Sequence, residues 1–345
     1  MENQSEKETE KCFKTSRINM EVGVSIVICT FNGQQRLKKT LDHATNQLTT
    51  FPYEILVVNN NSTDDTGLWV ESYIAESDSK MPVRLLKEER QGLSFARKKG
   101  IEAANFPFIL FCDDDNWLNS DFIQIGADIL SANSNIGVLG SFGIPKIDGT
   151  KPDWFDQFSH SYAVGSLGKS SGIQPKGSYH YGAACFFRKE ALVRLNSIGF
   201  ESLLTDRKGQ NLSSGGDVEL CYAIQLLGYE LHYDERLRFF HFIEKHRLEW
   251  EYYVKLKKGI SASFPLLESY SFKCFQNKSE FRNHLWNKFF IVLKGIVKSG
   301  ISSVVSQSSQ NELNWINTTS KFTAFVTNYK KTTSAFVRNR QIFNA

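Results

Sequence analysis

The sequence predicts an α/β protein: a Rossmann-like, mostly parallel sheet flanked by helices, followed by a helical C-terminal appendage. Three observations carry this expectation. Short apolar runs of strand length alternate with segments of helical spacing from Val22 to about residue 246. The most polar segments fall at the carboxyl ends of those runs, where parallel sheets hold their ligands. After residue 246 the pattern changes to stretches in which basic and aromatic residues alternate with apolar ones. The chain accordingly divides into a polar, disordered tail (1–21), a main domain (22–246) and the appendage (247–345).

The elements follow in order. Val24–Cys29 reads as a buried strand that breaks at a turn over Thr30–Gly33, after which Leu37, Leu41, Ala44 and Leu48 recur at helical spacing. A second strand, Glu54–Val58, runs into the polar segment Asn59–Asp65, where Ser62 and Asp65 have the spacing of a capping box. Val83–Leu86 is a third strand and Gly92–Ala104 a helix. Phe108–Cys112 is a fourth strand that ends in Asp113-Asp114-Asp115. Residues 140–180 read as loop-rich and substrate-facing, and Tyr181–Phe187 resumes strand character. Asp217–Leu227 is helical, with Leu220, Ala223, Ile224 and Leu227 on one side and Gly228 as its stop. Leu231–Phe242 closes the domain as an aromatic-rich strand. In the appendage, Leu285, Phe289, Val292, Ile296 and Val297 share a face flanked by Lys288, Lys294 and Lys298, which suits packing on the main domain or contact with a membrane surface.

Composition narrows the function classes. A formal charge of +4 over 345 residues is too mild to suggest nucleic acid, though it suits anionic diphosphates or acidic lipid. The six cysteines show no Cys-x-x-Cys spacing, and four lie in apolar runs, as free thiols in a reducing cytoplasm would. No uncharged apolar run reaches the roughly 18 residues needed to span a bilayer. The first twenty residues lack the apolar segment of a signal peptide. The expected location is cytoplasmic, with room for the inner face of a membrane.

Two clusters can carry chemistry. Three Asp after a buried Phe-Ile-Leu-Phe-Cys strand would repel one another without a cation. Alternation places Asp113 and Asp115 on one face, a hard-oxygen pair for Mn2+ or Mg2+; the plain alternative is a solvated turn. In Gly215-Gly216-Asp217-Val218-Glu219 the glycines allow close backbone approach and leave Asp217 at a helix start, whose positive end favours the ionised carboxylate. Such a carboxylate can take a proton from a hydroxyl, or can simply cap the helix.

Together these segments resemble the family 2 glycosyltransferases. Val24-Ser25-Ile26-Val27-Ile28-Cys29-Thr30-Phe31-Asn32-Gly33 is similar to the family's opening strand, and Asn60-Asn61-Ser62-Thr63-Asp64-Asp65-Thr66 to its second signature. Gln91–Gly100 is similar to the third, Asp113-Asp114-Asp115-Asn116 to its Asp-x-Asp metal motif, and Gly216–Leu220 to its Glu-Asp motif. The resemblance runs in order from Val22 to about Arg247 and is of the bacterial surface-polysaccharide type, from Pro152-Asp153-Trp154-Phe155 and Tyr181-Gly182-Ala183.

It implies a GT-A fold and inverting transfer of a sugar from a nucleotide-sugar, most readily a UDP-sugar, to a hydroxyl of a glycan or lipid-linked acceptor. Asp217 would be the base. Asp115, Asp113 and His241 would hold Mn2+ or Mg2+, and Thr30, Asn32, Asn60, Arg97, Asp113 and Asp114 would bind the donor. Trp154 and Glu219 would meet the acceptor, Trp154 by stacking on a sugar ring unless it only packs. The sequence departs from the family at Asn59, usually Asp, and at Gly216, usually Glu. Two rivals are a catalytically silent nucleotide-sugar-binding partner, which would lose the base, and a nucleotidyltransferase making the nucleotide-sugar. Thr30–Gln35 lacks the Gly-rich basic loop expected of the latter.

Overall fold

The computed structural model describes residues 21–77, 81–167, 170–204, 206–207, 214–305 and 308–344. The polar tail expected over residues 1–21 lies outside them, Glu21 excepted. Strands β1 (Val24–Thr30), β2 (Tyr53–Asn59), β3 (Val83–Lys87) and β4 (Phe108–Asp113) pair in parallel in the order β3-β2-β1-β4. β1, β2 and β4 are buried almost throughout, because helices cover both faces; this is why they read as continuous apolar runs without alternation. Register brings their ends abreast: Thr30 lies opposite Asn59 and Cys29 opposite Asp113.

The remaining half of the sheet is mixed. β8 (Cys185–Arg188) runs antiparallel to β4 and joins it to β6 (Ile136–Ile147), which pairs in parallel with the long β9 (Glu230–Ile243). β5 (Asn116–Leu118) and β7 (Gly172–Ile173) both run antiparallel to β9. The region expected to be loop-rich from residue 140 therefore begins as strand, with β6 continuing to Ile147, and only then turns irregular. Its Gly140, Gly143 and Pro145 masked the strand signal; Gly143 sits where a Cβ would fall 2.1 Å from the Ala163 carbonyl oxygen.

Helix α1 (Gln34–Thr45) buries Leu37, Thr40, Leu41 and Ala44, whereas Leu48 lies beyond its end and is exposed. α2 (Thr66–Glu76) starts without the expected capping box. Asp65 makes no side-chain cap bond, and the Ser62 hydroxyl accepts from the Asn32 amide instead. α3 (Leu93–Ala103) packs on β1 through Gly100, where an added Cβ would meet the Val27 side chain at 2.3 Å. α4 (Phe122–Ala132), the single turn α5 (Phe155–Phe158) and α6 (Lys189–Ser197) complete the layers. α7 (Gly216–Leu226) ends at Gly228, which takes a left-handed φ of 96° as a helix stop requires.

The C-terminal region is α8 (Trp250–Leu267), α9 (Lys278–Val305) and α10 (Ser309–Asn344). α9 and α10 form an antiparallel hairpin, with Phe289 on Phe322, Trp286 on Tyr329 and Phe281 stacked on Phe336 at 4.2 Å. Among the described residues, no helix is long and apolar enough to cross a membrane.

Candidate active site

A cleft of about 1460 Å³ opens at the carboxyl ends of β1, β2 and β4 and is walled on its far side by α7, α8 and the segment before α9. The acidic triplet forms the turn between β4 and β5 and splits into three environments. Asp113 faces the cleft. Asp114 is buried and fully engaged: Arg36 donates to both oxygens (Nε to Oδ1 at 3.2 Å, Nη2 to Oδ2 at 3.0 Å), and the Thr30 hydroxyl donates to Oδ2 at 2.6 Å. Gly33 makes this possible, since a Cβ there would fall 2.0 Å from Thr30 Oγ1 and 2.5 Å from Asp114 Oδ2. Asp114 thus ties the ends of β1 and β4 to α1.

Asp115 is the charged centre of the turn. Its Oδ2 accepts from Arg247 Nη1 at 2.6 Å and lies 3.3 Å from His241 Nε2, while its buried Oδ1 has no protein partner. His241 reaches it because β5 pairs Asn116 with His241 across β9. The ring is oriented by Nδ1, which lies 2.6 Å from the Tyr162 carbonyl oxygen and therefore donates to it, leaving Nε2 turned to Asp115. Burial by itself would raise the Asp115 carboxyl. His241 and the Arg247 guanidinium beside it outweigh this and hold the carboxyl far below the usual carboxylate range.

An orphaned carboxylate oxygen beside a directed imidazole nitrogen fits a hard divalent cation. The protein supplies few donors, and no group of three or more His, Cys, Asp or Glu among the described residues could hold a metal.

The opposite wall holds Asp217 in the first turn of α7. Its Oδ2 accepts from the Gly182 amide at 2.9 Å and its Oδ1 from the Val218 amide at 2.9 Å. Beside it lies Asp206, with a φ of 52°, which accepts from the Gly216 amide at 2.7 Å and from Arg97 Nη1 at 3.4 Å. Burial, opposed by Arg97 and reinforced by the Asp217 charge, pushes the Asp206 carboxyl up to about 6. Gly216 is required here: a Cβ at that position would lie 2.2–2.6 Å from the Asp206 carboxylate. A carboxylate from the preceding loop thus occupies the space beside position 216, where the family usually carries Glu. Arg97, buried over the Phe111 ring at 5.0 Å, pairs with Asp206 and also faces Asp113, so it spans the two walls.

The other expected site residues divide. Thr30 and Asn60 line the cleft. Asn60 braces the loop before α3, donating to the Arg90 carbonyl at 2.7 Å and accepting from the Gly92 amide at 2.7 Å. Asn32 is exposed outside the cleft lining and is tied to Thr63, so it fastens two loops to each other. Trp154 is packed among Phe155, Trp250 and Tyr253, clear of the cleft. Glu219 is 1% exposed and accepts from the amides of Leu203 and Leu204 and from the hydroxyls of Ser202 and Tyr270. As placed, it is a buried loop anchor with no face for an acceptor. Sequence reasoning missed Arg36, Arg247 and Asp206, whose partners lie 78, 132 and 109 residues away.

Residues 25–195 match the sequence model described as Glycosyl transferase family 2. This stretch is a family 2 glycosyltransferase domain. Its carboxylate turn, with Arg97 and the β1 and β2 ends, lies wholly inside the matched segment. Over 101 residues the chain is 36% identical to EpsH of Bacillus subtilis (strain 168), a match covering 29% of this chain and 28% of that one. It is 22% identical over 235 residues to the glucosyl-dolichyl phosphate glucuronosyltransferase of Haloferax volcanii, covering 67% and 72% of the two chains. Among solved structures, the mannosyltransferase PcManGT of Pyrobaculum calidifontis, in complex with GDP-Man and Mn2+, superposes with a TM-score of 0.53 at 14% identity, over 94% of this chain and 93% of that one. The fold of the family 2 domain is therefore GT-A.

Proposed function

We propose that this chain transfers a sugar, with inversion, from a nucleoside-diphosphate donor to a hydroxyl of a glycan or lipid-linked acceptor in surface polysaccharide synthesis. A UDP-sugar is the first donor to test. The observation that carries the reading is that Asp113, Asp115 and Asp217 open on one cleft and Arg97 bridges the two walls. On this reading Thr30 and Asn60 line the nucleotide end, and Arg97 faces the diphosphate. Asp115 and His241 would hold Mn2+ or Mg2+, with Asp113 alongside. When bound, the ion neutralises charge on the departing diphosphate as a Lewis acid.

Asp217 takes the proton of the acceptor hydroxyl while the new bond to the anomeric carbon forms and the bond to the diphosphate oxygen breaks. Its carboxylate is aimed by the Gly182 amide and kept available as a base by its position at the start of α7. In place of Trp154 and Glu219, the acceptor wall is assigned to Tyr179, Tyr181, Tyr252 and Lys255. We place the chain in a reducing, cytoplasmic setting, where the buried Cys112 thiol at the end of β4 would stay reduced.

The test is release of nucleoside diphosphate from the donor, with water or an added glycan as acceptor. Asp217→Asn should lower turnover by at least about 100-fold with donor affinity nearly unchanged. Turnover close to wild type would remove Asp217 as the base; donor binding with no release by the wild type would favour the silent binding partner.

A further inference from the structure

The face of α9 read from the sequence as apolar turns inward. Leu285 is 2% exposed, and Phe289 and Val292 pack with it against Phe325 and Phe336 of α10. Val297 is the exception, 59% exposed, because it belongs to a second apolar face about a third of a turn round the helix. That face is a stripe of Trp286, Phe290, Leu293, Val297 and Ile301, all exposed and separated by four, three, four and four residues. It runs about 22 Å along the helix. Trp315 of α10 extends it, lying against Gly300 where a Cβ would meet the indole at 3.2 Å, and is itself 40% exposed. A tryptophan therefore stands at each end of an uncovered apolar strip.

A helix whose apolar surface extends well beyond the face it packs normally buries that surface too, so the outer stripe requires a partner. Charge says which one. From Phe281 to Asn344 there are nine Lys and Arg against a single acid, Glu312, a formal +8 in a chain whose total is +4. The rest of the chain therefore sums to −4, and basic charge is concentrated on the hairpin. Lys294 and Lys298, both exposed, each follow a stripe residue and flank it on one side. A second copy of the chain would bring these lysines against their like, whereas an anionic surface would neutralise them.

We propose that the outer face of α9 docks the protein on an acidic lipid surface, with the stripe at the acyl boundary, the two tryptophans at the interface and the flanking lysines on lipid phosphates. Lys288, on the inner side of the same helix, lines the cleft. Docking would therefore hold the cleft about one helix diameter, some 10 Å, from the lipid headgroups, within reach of an acceptor carried by a lipid.

The inference stands apart from the proposed reaction, because vesicle binding and nucleotide binding are read separately. The full chain is sedimented with vesicles of phosphatidylglycerol and phosphatidylcholine, and with phosphatidylcholine alone. It should bind the first at least about 10-fold more tightly than the second, and lose that preference in high salt. The double variants Phe290→Ser/Val297→Ser and Lys294→Glu/Lys298→Glu should each weaken binding by at least about 10-fold. Both should keep the wild-type thermal transition, which separates lost docking from lost folding. No binding to the anionic vesicles, or double variants that bind as the wild type does, would overturn the proposal. So would a dimer in analytical ultracentrifugation that Phe290→Ser/Val297→Ser dissolves, since the stripe would then be covered by a second copy.

Discussion

The two walls of the cleft each hold a pair of neighbouring carboxylates, and they answer them with different numbers of cations. In the β4–β5 turn, Asp114 and Asp115 are each answered by an arginine, Arg36 and Arg247, and His241 adds to the second. Asp115 is locked in its charged form. At the start of α7, Asp206 and Asp217 share one arginine, Arg97, and the Asp206 carboxyl is pushed up to about 6. On the first wall Asp115 presents a fixed negative charge, which suits a cation and its phosphates, while burial raises the Asp114 carboxyl despite Arg36. The other keeps a proton within reach near neutral pH, which suits hydroxyl chemistry. Identical side chains acquire different roles from the number of cations placed around them.

The contrast can be broken most forcefully at Arg247. Arg247→Met leaves the Asp115 charge buried with only His241 to answer it. Urea unfolding at neutral pH without divalent ions should show a loss of about 3–5 kcal/mol. Saturating Mn2+ should restore part of this by occupying the site. An unchanged midpoint would mean that Asp115 is not held by this pair.

The second wall can be sharpened through pH. A carboxyl whose folded pKa is raised favours the folded state fully below its unfolded value near 3.8, and that contribution is lost as pH rises through about 6. Stability of the wild type relative to Asp206→Asn should therefore fall between pH 4 and pH 6, by about 1–3 kcal/mol. A difference that stays flat across this window would place the Asp206 proton elsewhere. The smallest effect is expected at Asn32, an exposed loop fastener. Asn32→Ala should cost about 0.5–1 kcal/mol in unfolding experiments and leave nucleotide affinity within about twofold. A large drop in affinity would return Asn32 to the donor site.

What the sequence made legible follows from how local each signal is. β1, β2 and β4 are continuous apolar runs with the triplet at the end of one of them, and Asp217 and His241 stand near the ends of a helix and a strand with their own local patterns. Arg36, Arg247 and Asp206 carry no such mark, because each acquires its role only when the chain folds a distant partner onto it. Trp154 and Glu219 lie close in sequence to suggestive motifs, yet packing turns one into an aromatic cluster and the other onto loop amides. In α9 the apolar surface is wider than one packing face, so periodicity could not say which part packs; only the position of α10 decides it. β6 was hidden by a proline and by glycines that its neighbours require.

The central claim is that the Asp115 wall is a cation-assisted nucleotide site. The measurement that tests it most directly is calorimetric titration of the full chain with UDP and GDP, in Mn2+ and in chelator, for the wild type and Asp115→Asn. The account predicts one nucleotide bound in Mn2+, binding weakened by about 100-fold in chelator, and a variant that behaves as the chelated wild type does. Nucleotide binding indifferent to Mn2+, or unaltered in Asp115→Asn, would contradict it.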